Sequence, residues 1–174
     1  MAALQSPALR GVYYRSVDVA SFAEIEEELM RRISRIVWCT MATVDRRGRP
    51  RSRIMHPVWE GPVCWMATQR GSFKGKHIAR NPYVSLSYWD RDHQQVYADY
   101  RAEWVDDPAE KRRVWELYKG TPPPLGYDLA TIFRGGLEDP NYGLLKLTPW
   151  RIELWSLPDM MSGVPNKVWR NPEV

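Results

Sequence analysis

The sequence predicts a mainly β (α+β) fold, six antiparallel strands in a closed or half-closed barrel with a few flanking helices. Three observations carry that expectation. Short β-branched or alternating apolar stretches recur between turn-like polar segments, so neighbours in sequence should pair antiparallel. Few stretches read as helices, which leaves the strands to build the core themselves. The chain of 174 residues is 44% hydrophobic, enough for one domain with a sizeable core and with no internal repeat.

Residues 1–20 read as an N-terminal arm. Ser21 followed by Glu24 is a capping-box signal, and Phe22, Ile25, Leu29, Ile33 and Ile36 keep helical spacing, predicting a helix to about Arg35. Ile36 to Val44 reads as a buried strand, Asp45 to Arg49 as a turn with Gly48 at positive φ, and Pro50 to Trp59 as the returning strand. Val63 to Thr68 is a third strand. Ser72 can cap a short helix that Asn81-Pro82 ends. Tyr83 to Trp89 and Gln95 to Val105 form the next hairpin. Asp107 as cap, with Pro108 in the first turn, opens a helix that Gly120 closes. Residues 120–143 form a long loop, of the length that lids and interfaces use. Leu144 to Leu157 is the sixth strand.

Composition excludes several classes of function. A net charge of +4 and a pI near 9.1 suit an anionic ligand but are too mild to demand nucleic acid. No metal spacing, GxSxG elbow or Walker loop occurs, and the histidines His56, His77 and His93 form no HxxxH pair. No catalytic side chain is assigned. Two isolated cysteines, no apolar leader pattern and no membrane-length run predict a cytoplasmic protein. The nine tryptophans call for a core, an interface or a planar ligand.

The stretch from Asp45 to Arg53 holds five arginines in nine residues. Arg46, Arg47 and Arg49 fall in the turn and are expected to be solvated. Strand alternation puts Arg51, Arg53 and Met55 on one face and Ser52, Ile54 and His56 on the other. Arg53 enters an apolar strand, where a held guanidinium suits a fixed phosphate. Ser72 and Lys74, at the start of the short helix, could address the same anion.

Four segments in order resemble the pyridoxamine-5'-phosphate-oxidase-like, FMN-binding split β-barrel family. "GRPRSRIM" is similar to its Gly-x-Pro-x-x-Arg strand, which implies that Arg53 holds the phosphate. "WMATQRGSFKGKHIARNPYVSL" resembles its Thr…Ser-x-Lys…Asn-Pro-x-Val-Ser-Leu segment through Thr68, Ser72, Lys74, Asn81, Pro82, Val84, Ser85 and Leu86. "QQVYADYRAEWV" resembles a strand whose leading glutamine, here Gln95, reaches the flavin of the partner subunit. "TPWRIELWS" is similar to a C-terminal segment whose tryptophan, here Trp155, lines the same pocket.

The resemblance implies a six-stranded antiparallel split β-barrel and a homodimer. It also implies FMN, or a deazaflavin, lying along the backbone of Arg53, Ile54, Met55 and His56. The implied activity is an oxidoreductase acting on a small molecule, with NAD(P)H as a candidate donor. A flavin-sequestering protein without turnover is the alternative. Membrane and nucleic acid are not expected partners. Two departures argue against pyridoxamine phosphate as substrate. True oxidases carry a lysine five residues after the strand arginine, where this chain has Val58, and they end in an Arg-Leu-His-Asp-Arg-like segment, where it has "SGVPNKVWRNPEV".

Overall fold

A computed structural model describes residues 15–174. The elements are β1 (Ser16–Val19), α1 (Ala23–Ile36), β2 (Cys39–Val44), β3 (Pro50–Met55), β4 (Val58–Glu60), β5 (Val63–Thr68), α2 (Phe73–Ile78), β6 (Tyr83–Trp89) and β7 (Gln94–Val105). They continue with α3 (Pro108–Gly120), two 3-10 turns, β8 (Gly143–Ser156), α4 (Leu157–Met161) and β9 (Asn166–Arg170). The mainly β class with few helices is as expected.

Strand count and pairing depart from the expectation. The described residues hold a 9-stranded sheet, not six strands. Part of the expected arm is β1, whose partner β9 lies in the C-terminal tail; the two pair in parallel, Ser16 opposite Asn166. The sheet is therefore mixed rather than wholly antiparallel. The rest of the arm, residues 1–14, lies outside the described residues. The expected Pro50–Trp59 strand is two strands: β3 pairs with β2, β4 with β5, and His56-Pro57 breaks the run between them. Pro57 has no N–H to give a ladder, so a proline inside a strand pattern marks a break.

The sheet runs β1-β9-β8-β7-β6-β2-β3, with β5 also on β8. The 14-residue β8 is its hub: it pairs with β7 along its length, with β5 through Gly143–Leu147 and with β9 through Arg151–Leu154. β3 pairs only with β2 among the described strands, and no ladder joins it to β5. One of its edges is thus open.

The main core lies between α1 and the sheet, where Ile25, Leu29 and Ile33 meet Met41, Met66, Leu86 and Ile152. The capping box is half built. Glu24 accepts from the backbone N–H of Ala20 and Ser21, both at 2.9 Å, but Phe22 occupies the cap position. A second cluster packs α3 and the long loop over β4, β5 and β8 through Val58, Trp65, Val114, Tyr118, Leu129, Phe133 and Tyr142. That loop is therefore anchored, not merely solvated. No helix among the described residues is long and apolar enough to cross a membrane.

Candidate functional site

The β2–β3 turn is closed by Gly48 at φ 75° and by Asp45, whose carboxylate accepts from the backbone N–H of Arg47 and Arg49. Beyond the turn, Arg53 sits opposite Met41 on the core-side face of β3. Its Nη1 donates to Thr43 Oγ1 at 2.8 Å, and the same oxygen is 2.9 Å from His77 Nδ1 on α2. Thr43 is buried, so this chain ties β3, β2 and α2 together at one end of the sheet.

Lys74 shares the neighbourhood. Burial, then the charge of Arg53, lowers the Lys74 pKa; burial, then Arg51, lowers that of Arg53. Neither forms a salt bridge among the described residues. Two half-buried cations that disfavour one another and lack a carboxylate make a region that an anion would relieve. Ser72 contributes less freely than expected. Its hydroxyl donates to the Gln69 carbonyl at 2.7 Å and accepts from Gly75 N at 3.4 Å, so its hydrogen is already committed. Gly75 is a packing glycine: a Cβ there would lie 2.0 Å from the Arg70 carbonyl oxygen. Thr68 is buried at the end of β5 opposite Gly143, just before the Gln69–Ser72 turn.

Further along β3, an open cleft of ≈ 470 Å³ is lined by Trp38, Ile54, Met55, His56, Ala67, Tyr127, Thr131 and Ile132. Such a size and aromatic lining suit a planar organic group. His56, one of the lining residues, is fixed by its neighbours. The ring lies 4.7 Å from Trp38 and 4.6 Å from Tyr127, and Nε2 is 2.9 Å from the Leu125 carbonyl, which can only accept. Burial lowers the His56 pKa, only partly offset by backbone carbonyls. The Tyr127 hydroxyl donates to the His56 carbonyl at 3.4 Å. The long loop thus supplies one wall of the cleft while Leu129 and Phe133 anchor it.

Gln95 and Trp155 are elsewhere. They face each other across the β7–β8 ladder, level with His56 but three and four strands from β3, on the order of 14 and 19 Å along the sheet. Arg32, itself buried in α1, donates from Nη1 to the carbonyls of both, at 2.7 and 2.6 Å. Gln95 Oε1 accepts from the Tyr97 hydroxyl, and Trp155 Nε1 is buried without a hydrogen-bond partner among the described residues. Within one subunit, then, Arg53, Ile54, Met55, His56, Ser72 and Lys74 lie along β3 and at the start of α2, with Thr68 at the end of β5 leading into α2, and Gln95 and Trp155 do not join them. Thr43, His77, Trp38 and Arg32 were missed from sequence, whereas Tyr127 belongs to the long loop expected to edge or cover the pocket. Thr43 alone left a signal, as a polar residue on the inward face of an apolar strand.

The fold thus sets a cationic pocket beside an open, aromatic-lined cleft on one mixed-sheet domain. The family model for pyridoxamine 5'-phosphate oxidase matches residues 25–156, and the chain belongs to that family. A curated relative, the pyridoxine/pyridoxamine 5'-phosphate oxidase of Pseudomonas entomophila (strain L48), is 37% identical over 68 residues, which cover 38% of this chain and 32% of that protein. The chain thus spans about a third of the curated relative it matches.

Solved structures share the fold. A protein from Clostridium acetobutylicum related to general stress protein 26 has TM-score 0.68 and 16% identity over 88% of this chain and 99% of its own. A pyridoxamine 5'-phosphate oxidase-related, FMN-binding protein from Nostoc punctiforme PCC 73102 has TM-score 0.60 and 18% identity, covering 89% and 93%. An F420 reductase has TM-score 0.51 and 21% identity, covering 71% and 94%.

Proposed function

We propose that the protein is a homodimeric, flavin-dependent oxidoreductase that holds FMN, or a deazaflavin, by its phosphate. One observation carries the reading. Arg53 and Lys74 are half-buried, the charge of Arg53 adds to burial in lowering the Lys74 pKa, neither has a carboxylate partner among the described residues, and Arg53 is followed on the same strand by the aromatic cleft. Arg53 and Lys74 would grip the phosphate; the open edge of β3 offers peptide N–H and C=O groups to the ring's polar edge; Trp38 and Tyr127 supply apolar wall. A bound flavin would supply the redox chemistry. His56, whose pKa burial lowers, would keep its Nε2–H on the Leu125 carbonyl at one side of the cleft.

Two subunits complete the site. Ile54 (62% exposed), Tyr83 (57%) and Trp89 (59%) share the outer face of the sheet with Gln95 and Trp155, an apolar surface suited to a second copy. A two-fold axis would bring Gln95 and Trp155 of one chain to the cleft of the other. Pyridoxamine phosphate is not the proposed substrate. Val58 stands where a substrate lysine would be, and its side chain is 1% exposed in the second core. The tail that would carry the other substrate residues is spent on β9. Both cysteines are free and buried, in keeping with the proposed cytoplasmic setting. The test is to purify the protein with its native cofactor and record its absorption and mass, then add NAD(P)H. A flavin bleached by the donor supports the reading; a bound flavin that no donor reduces favours the sequestering alternative, and a protein that takes up no flavin ends both.

A further inference from the structure

We propose that a second cleft, between the β2–β3 turn and α2, binds a nucleoside phosphate, its phosphates held by Arg46, Arg47, Arg51, Lys76 and Arg80 and its base stacked on Phe73. The cleft measures ≈ 480 Å³, within the range of small-molecule sites. Asp45 is the one carboxylate in its lining, and it is already consumed. It pairs with Arg49 at 2.8 Å and accepts two backbone N–H groups, which hold its carboxyl well below the usual carboxylate range. The five remaining cations have no ion-pair partner among the described residues. Gathering them around one depression costs repulsion that several bound oxyanions would reverse, and guanidinium forks match phosphate bidentately.

The aromatic residue chooses among anions. Phe73 is 80% exposed, more than any other exposed large hydrophobic among the described residues, and Lys76 Nζ lies 5.8 Å from its ring centre. A bare phosphate has no use for such a face; a purine stacks on it while its phosphates reach the arginines. A nucleic-acid strand would need several stacking platforms in a row, whereas the lining of this cleft has one exposed aromatic ring, Phe73, its only other ring being the half-buried His77 imidazole held against Thr43. The site is separate from the Arg53–Lys74 pocket but joined to it. His77 lines the cleft and meets Thr43, which Arg53 also contacts, and Arg51 stands two residues before Arg53 on one strand face. The assignment does not depend on the flavin reading, since it uses neither Arg53 nor Lys74.

The experiment is calorimetric titration of ADP into the dialysed protein, with and without saturating FMN, against adenosine, inorganic pyrophosphate and a 12-residue single-stranded oligonucleotide. ADP should bind at least about tenfold more tightly than adenosine or pyrophosphate, because each of these lacks one half of the recognition. Arg46→Ser with Arg47→Ser should weaken ADP about tenfold or more, and Phe73→Ala about fivefold or more. All three positions are exposed, so these variants should fold. FMN affinity of the Arg46→Ser, Arg47→Ser protein should match wild type. Four results would overturn the proposal: no ADP binding, pyrophosphate binding as tight as ADP, competition between ADP and FMN, or an oligonucleotide that outcompetes ADP with a steep salt dependence.

Discussion

Arg53 and Thr43 are joined by one hydrogen bond of 2.8 Å across the β2–β3 hairpin, and that bond aims a cation without making it neutral. A carboxylate in Thr43's place would pair with the guanidinium; a hydroxyl orients it and leaves its charge for a ligand. Arg53→Ala should therefore weaken FMN at least about tenfold, since a charge-assisted contact is worth about 1.5–3 kcal/mol. Thr43→Val, which keeps the cation but loses its guide, should weaken FMN by a smaller factor. Fluorescence titration reads both. Equal FMN affinity in Arg53→Ala and wild type would remove Arg53 from the site.

Ser72→Ala should matter less than Arg53→Ala. The Ser72 hydroxyl hydrogen already serves the Gln69 carbonyl, and its oxygen caps α2 weakly at 3.4 Å. An exposed-end cap of this kind contributes about 1 kcal/mol to stability, so a small drop in melting temperature is the expected signature. A loss of FMN larger than that in Arg53→Ala would show that Ser72 turns to the phosphate.

Val58→Lys would restore the residue of the true oxidases, yet it should fail to restore their activity. The side chain is 1% exposed among Trp65, Val114 and Tyr118. An ammonium there is desolvated without a partner, at a cost of about 3 kcal/mol or more. Chemical denaturation should show that loss. A stable variant that turns over pyridoxamine phosphate would contradict the assignment of this position to the core.

Stability should fall at mildly acid pH through His56. Burial lowers its pKa in the folded protein, while the unfolded chain protonates at about 6.5. The unfolded state therefore binds the extra proton first. Stability is full above about pH 6.5 and declines as pH falls from there to the folded-state pKa. His56→Gln should flatten that part of the profile, which thermal melts between pH 5 and 8 would reveal. A decline that persists in the variant would assign it to other groups.

Much of the fold was legible because its signals are local. β5 and β6 stand at the residues predicted, since turn residues bound each alternating run. Asp107 caps α3 by accepting from Ala109 N, as the Asp-Pro pair implied. β1 and β9 were not legible. Each is five residues or fewer, and each is a strand only by pairing with residues about 150 positions away in the chain or with β8. Arg32 was hidden for a similar reason. It falls on the buried face of α1, and its partners are backbone carbonyls, which no side-chain pattern announces. The cationic residues of the candidate site, Arg53 and Lys74, were readable one by one on β3 and α2. The long loop could be expected at the pocket edge from its length and apolar residues, but its contact with His56 through Tyr127 could not, because only the folded loop makes it.

The most direct test of the central claim, a phosphate gripped by Arg53 and Lys74, is the ratio of FMN to riboflavin affinity, measured by calorimetry on the cofactor-free protein. The two molecules differ by the phosphate alone. Two charge-assisted contacts of about 1.5 kcal/mol or more each predict FMN binding about a hundredfold or more tighter than riboflavin. Equal affinities would contradict the account.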